Sequence, residues 1–306
     1  MMPLLLFLIL VVPLESAKPP GNPTDPALSA RIKDLLHTEL TSDEENSDAD
    51  DAAVREILSK HGLPTIPEVG DEAAYDFVLL LAGEKLLPEL QAQVLPKIRS
   101  AVAHHELPAD AGVYYEVRVR LEDTKRLARS HPPANPDLRD RIENLVKGDQ
   151  EVRAQKGFDA TRMEATDARN APVLQAILDE YGVPTFSLVG PQAAADFVLM
   201  IQHQPARFRQ QVLPKLKALV DAGQADPGSY ALVYDLSQRD QGKKQLYGER
   251  LECGAGEKMH EAPIEDESHV NQRRAELGLM RVELYASLVA ELMPQFCQPA
   301  VKTSSQ

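Results

Sequence analysis

Polar side chains that could act together lie in four separate stretches of the second half of the chain. They are Asp149, Gln150 and Arg153 in DQEVR; Gln202 and His203; Asp235 and Arg239; and Gln245 and Tyr247 in QGKKQLYG. A histidine titrates near neutral pH, so His203 has the chemistry of a general base, with Asp149 or Asp235 nearby to work with it. Arg153 or Arg239 would hold an anionic group, and Tyr247 or Gln245 would donate to developing charge. No nucleophile is evident, so a hydrolase of this kind would use water. The same set also reads as a hydrogen-bonding pocket for a small molecule, a peptide or a protein loop, without turnover. Glutamine-rich, nucleophile-free sets favour recognition, and the absence of Trp weakens a sugar-stacking version. The plainer alternatives are a His203 satisfied by a backbone carbonyl at a helix end, and a solvated QGKKQLYG loop with Tyr247 tucked onto the core.

Other signatures are missing. There is no G-x-S-x-G elbow, H-E-x-x-H, P-loop or dinucleotide glycine pattern. His104, His105 and Glu106 are adjacent rather than helically spaced, and Cys253, His260 and His269 match no standard zinc spacing. No metal site and no cofactor is therefore expected.

The elements that must position these residues come from a sequence written twice. HGLPTIPEVGDEAAYDFVLLL (61–81) returns as YGVPTFSLVGPQAAADFVLMI (181–201), VLPKI (94–98) returns as VLPKL (212–216), and YEVRVR (115–120) as YDLSQR (234–239). This reads as a tandem duplication, which sets two rows against each other inside one chain. What both rows share (Gly, Pro, Ala-Ala, Asp-Phe, Val-Leu-Pro-Lys) belongs to turns and core. What only the second row carries is a candidate for function. Gln202-His203 faces Ala82-Gly83, QGKKQLYG faces EDTKRLAR (122–129), and DQEVR has no counterpart in the acidic connector of the first row. The candidates should converge on one concave surface, and the corresponding place in the first half should be apolar or filled.

Apolar residues recur at helical spacing throughout, and no stretch alternates long enough to be a convincing strand. The expected fold is all-α: two small helical bundles in tandem, with an extra C-terminal helical region over 269–293. Gly62 and Gly182 sit where helix ends want positive φ, and Pro64 and Pro184 stop the helices from restarting. The boundaries are a signal peptide at 1–17, a flexible linker at 18–26 and a degenerate first repeat at 27–130. A Pro-rich linker follows at 131–136, then the second repeat with its tail at 137–296 and a disordered end at 297–306.

An apolar run over 4–12 followed by Ser16-Ala17 reads as a secretory leader, with an uncleaved anchor as the alternative. The protein is expected to be exported, to the periplasm or the medium, with no membrane span once the leader is removed. A formal net charge of −14 disfavours a nucleic-acid partner, because a polyanion needs a basic field. Cys253 and Cys297 are the two cysteines, and an oxidising compartment would allow them to pair.

From about 137 to 293 the chain resembles a bacterial family of unknown function, domain of unknown function 6624. The residues that carry the likeness are Asp149, Gln150 and Arg153; Gln202 and His203; Asp235, Arg239 and Gly242 with Gln245, Leu246, Tyr247 and Gly248; and APIEDESHVNQRRAELGL (262–279). Glu249-Arg250 stands where that family tends to have Thr-Gln. The resemblance implies an all-helical domain, makes the first half a degenerate repeat of it, and brings no known reaction.

Overall fold

The computed structural model describes residues 22–42, 47–83, 86, 88–154, 159–254, 259–293 and 297. The signal-peptide reading, the start of the linker and residues 298–306 lie outside the described residues. The fold is all-α. The first half runs α1 (Pro26–Thr41), α2 (Ser47–His61), the single turn α3 (Ile66–Val69), α4 (Asp71–Leu81), α5 (Pro88–Ala103) and α6 (Ala109–Arg129). The second runs α7 (Pro136–Arg153), α8 (Ala160–Tyr181), the single turn α9 (Phe186–Val189), α10 (Pro191–Gln202), α11 (Ala206–Asp221) and α12 (Pro227–Asp240).

The same local chemistry starts and stops the helices in both halves. Asp25 caps α1 by accepting from the Leu28 N–H at 2.9 Å, and Asn135 caps α7 by accepting from the Leu138 N–H at 3.0 Å. The chain just before each cap is tied to the following short turn, through Asp25 N–H to the Glu68 carbonyl and Asn135 N–H to the Leu188 carbonyl, both 2.8 Å. Gly70 and Gly190, at φ 87° and 86°, each end that short turn and open the next helix, a conformation few L side chains tolerate. Those next helices, α4 and α10, are the buried centre of each half, and Phe77 and Phe197 are both fully inaccessible. Ile32, Ile57 and Ile98 complete the first core, while Ile142, Ile177 and Leu216 complete the second.

After α12 the chain adds elements with no counterpart in the first half. Strands β1 (Leu251–Cys253) and β2 (Met259–Glu261) pair antiparallel, a hairpin too short for any alternating pattern to announce it. A 3-10 turn (Glu267–His269), α13 (Val270–Glu276) and α14 (Val282–Leu292) follow. The single tail region expected over 269–293 is thus broken at 277–281, where Gly278 takes φ 65° and the Arg274 side chain donates to the Met280 carbonyl at 2.5 Å. The acidic connector over 41–51 is helical from Ser47, where α2 begins.

The tail lies against the first half. Arg281 donates to Asp110 and Asp71 at 2.6 Å each and stacks over the Tyr75 ring at 4.2 Å, while α13 packs on α6. Cys253 and Cys297 are joined by a disulfide, with Cα atoms 5.4 Å apart. Among the described residues no helix is long and apolar enough to cross a membrane.

Candidate functional site

The end of α7, the first turns of α8 and the end of α10 meet in the second half. The last turn of α7 presents Asp149, whose side chain is completely buried, together with Gln150 and Arg153. The four-residue spacing within a helix puts Asp149 and Arg153 on one face. Arg153 donates to both oxygens of Asp149, at 2.9 and 3.1 Å, and to Asp167 on α8 at 2.5 Å. Gln150 donates to Asp149 at 3.1 Å. His203, directly after the end of α10, brings Nδ1 to 3.3 Å from Oδ2 of Asp149. That approach is within ion-pair reach but poorly aligned, so the buried Nδ1 has no well-formed hydrogen bond. Gln202 completes the group, with its amide nitrogen 3.3 Å from Nε2 of His203.

Electrostatics divide the two carboxylates. Burial alone would push Asp149 up, but its pairing with His203 and Arg153 outweighs that and holds its pKa at about 2. Asp167 goes the other way, because burial raises it more than Arg153 and His203 lower it. Two carboxylates of opposite tendency therefore flank one guanidinium, the situation in which one stays ionised while the other more readily takes a proton. Asp149, Asp167 and His203 also bring one donor atom each within 4.8 Å of one another. That set could hold a divalent cation once Arg153 has moved off the carboxylates. Asp25, His61 and Glu68 in the first half satisfy the same distance.

The backbone behind His203 is clamped from α11. Arg209 donates to the carbonyls of Gln202, at 3.0 Å, and Gln204, and to Asp240 at the end of α12 at 2.6 Å. In the first half the residue aligned with Arg209 is Gln91. It is buried and donates to the carbonyls of Leu81 at 3.3 Å and Gly83 at 3.0 Å. A neutral carboxamide therefore closes the corresponding helix end, around the fully buried Ala82, where the second half has a charged cluster.

The nine sequence candidates do not form one group. Asp149, Gln150, Arg153, Gln202 and His203 come together. Asp235, Gln245 and Tyr247 instead spend their polar groups on the segment after α12. The Asp235 carboxylate, wholly buried, accepts from the backbone N–H groups of Leu246 (2.7 Å), Tyr247 (3.2 Å) and Glu249 (3.0 Å). Gln245 donates to the carbonyls of Arg250 and Ala262 and accepts from the Arg250 N–H at 2.9 Å. Tyr247 is buried edge-on against Tyr230 and Tyr234. Arg239, exposed near the end of α12, lines a separate small cavity.

Asp167, Gln204 and Arg209 were not among the candidates. Asp167 lies before the stretch where the two rows align, so the comparison could not single it out. Arg209 was legible in principle, as the arginine facing Gln91 three residues before the shared Val-Leu-Pro-Lys.

Fold and cluster together define an all-helical protein with a charged, largely buried group confined to its second half. Residues 136–294, more than half of the chain, match the family described as a family of unknown function, DUF6624, and the chain belongs to it. Comparison with curated proteins and comparison with solved structures each found no match.

Proposed function

We propose that this is an exported binding module, in which the second of two duplicated helical bundles recognises a small polar molecule or a peptide through His203, Gln202, Asp149, Gln150 and Arg153, joined by Asp167. The observation that carries the reading is the poorly satisfied Nδ1 of His203 beside an ionised, buried Asp149, at a helix end that the first half closes with Gln91. Pairing a charge with a half-satisfied polar group is costly in a core, and it is tolerated where a ligand completes the bonding. Duplication is supported by the matching caps, turns and helix order of the halves. Export is supported by the leader-like first residues and by a disulfide suited to an oxidising compartment.

A thermal-shift screen of polar metabolites and peptides on wild type and His203→Ala tests the binding reading. A compound that raises the wild-type melting temperature and leaves His203→Ala unmoved supports it. Equal stabilisation of both proteins, or none of either across the screen, counts against it.

The His203–Asp149 pair also favours a second reading, a hydrolase in which Asp149 orients His203 and the imidazole draws a proton from water. Turnover of ester, amide or phosphoester probes that disappears in both His203→Gln and Asp149→Asn would select it over simple binding.

A further inference from the structure

A second polar site lies beyond the His203 cluster, at the join between the end of α12 and the hairpin. A cavity of about 210 Å³ there is lined by Arg239, Lys243, Lys244 and Arg250, with carboxylates only from Asp235 and Glu252. Asp235 forms no ion pair with the four cations, its oxygens being engaged by three backbone N–H groups. Exposed Glu252 forms no ion pair with any of them, and among the described residues Arg239, Lys244 and Arg250 have no ion-pair partner. The Nε of Arg250 is buried with no hydrogen-bond partner at all.

This is unexpected in a chain with 47 acidic residues against 33 basic ones, where a carboxylate partner is easy to supply. A buried guanidinium nitrogen without an acceptor carries the full cost of its lost hydration. Nor is Arg250 free to swing away at its root, since Gln245 bonds both its N–H and its carbonyl.

We infer that this cavity binds the phosphate group of inorganic phosphate or of a small phosphomonoester, held between the guanidinium groups of Arg239 and Arg250 with Lys243 and Lys244 at the rim. Guanidinium forks match phosphate oxygens in geometry, and a doubly charged anion answers four cations better than a carboxylate does. The volume exceeds what the phosphate group needs and leaves room for a short organic substituent. Burial and the neighbouring charge of Arg239 both depress the Arg250 pKa, the unfavourable state that an anion between the two would relieve. Gln245 is a positioning residue in this arrangement, acting through the backbone of Arg250.

Calorimetric titration of the full chain with inorganic phosphate, glycerol phosphate and acetate, at ionic strength fixed with chloride, tests the inference. Saturable phosphate binding is expected in wild type and in His203→Ala, which separates this site from the His203 reading. Arg250→Gln and Arg239→Gln should each weaken binding by about tenfold or more, as loss of a charge-assisted bond does. Arg239 is exposed, so its variant keeps the test valid even where Arg250→Gln fails to fold. Tighter binding of glycerol phosphate than of phosphate assigns a phosphomonoester, and equal or weaker binding assigns the free anion. Absence of saturable binding by either, acetate binding as tightly as phosphate, or phosphate affinity unchanged in Arg239→Gln would each overturn it.

Discussion

Replacing Asp149 by asparagine keeps the shape of the buried side chain and removes its charge, so the change reports on the electrostatics that hold the cluster together. The folded protein holds this carboxyl at about 2 against an ordinary 3.8. That difference corresponds to about 2.5 kcal/mol of preference for the ionised form. The folded pKa is the depressed one, so the stabilisation is fully present above pH 4 and is lost as pH falls from there through 2. Asp149→Asn should therefore cost about 2.5 kcal/mol at pH 7, measured as a lower urea midpoint at unchanged slope. The deficit should narrow below about pH 4, where the carboxyl of the unfolded chain begins to protonate, and close near pH 2. Two-dimensional NMR of the carboxyl carbon gives the midpoint directly. A midpoint near 4, or a loss at pH 7 below about 0.5 kcal/mol, the scale of an ordinary surface substitution, would show that His203 and Arg153 do not hold Asp149 as described.

Two further consequences follow from buried carboxylates outside that cluster. Asp76 on α4 is pushed up to about 7 by burial and by Glu72, only partly offset by Lys33 and Arg281; the native state then binds its proton more tightly than the unfolded chain, so stability falls as pH rises from about 4 through 7. Asp76→Asn should recover up to roughly 4 kcal/mol at pH 8 and almost nothing at pH 4, read from denaturation curves at the two pH values, and equal effects at both would refute the assignment. Asp235→Ala should cost about 3 kcal/mol or more, because one buried and two part-buried backbone N–H groups lose their acceptor. Hydrogen exchange at Leu246 and Tyr247 should quicken with it, and protection left at the wild-type level would mean the carboxylate is not what anchors that loop.

Much of the helical framework was legible because it rests on local chemistry. Gly62 and Gly182 end helices at φ 75° and 74°, as their position beside Pro64 and Pro184 requires. The periodic stripes on α10 and α11 predict buried faces, and Ala193, Phe197, Val212 and Leu216 are in the second core, while Leu213, Leu219 and Val220 of the α11 stripe pack against it only partly buried. The hairpin and the break at 277–281 were not legible. Three-residue strands carry no period, and the break depends on Arg274 reaching a carbonyl six residues on.

The site was half legible, and the reason lies in what a comparison between two halves can measure. Residues found only in the second half include those that meet a ligand and also those that meet the tail, since the tail follows only that half. Asp235, Gln245 and Tyr247 belong to the second kind: their partners are Leu246, Glu249, Arg250 and Ala262, all in a segment the first half never had. Among the described residues, the hydrogen bonds and ion pairs of the Asp149, Gln150, Arg153, Gln202 and His203 side chains stay within α7, α8 and the end of α10, elements that have counterparts in the first half, so attaching the tail does not explain their charge. The aligned pair Gln91 and Arg209 makes the same distinction at one position. Both close the end of a buried helix by donating to its last carbonyls, which is all that folding asks of them. Only Arg209 brings a charge, and that charge draws in Asp240 at 2.6 Å at the end of α12, the helix whose neighbouring Arg239 lines the small basic cavity. A residue that folding alone would leave neutral thus ties the helix end carrying His203 to the one carrying Arg239.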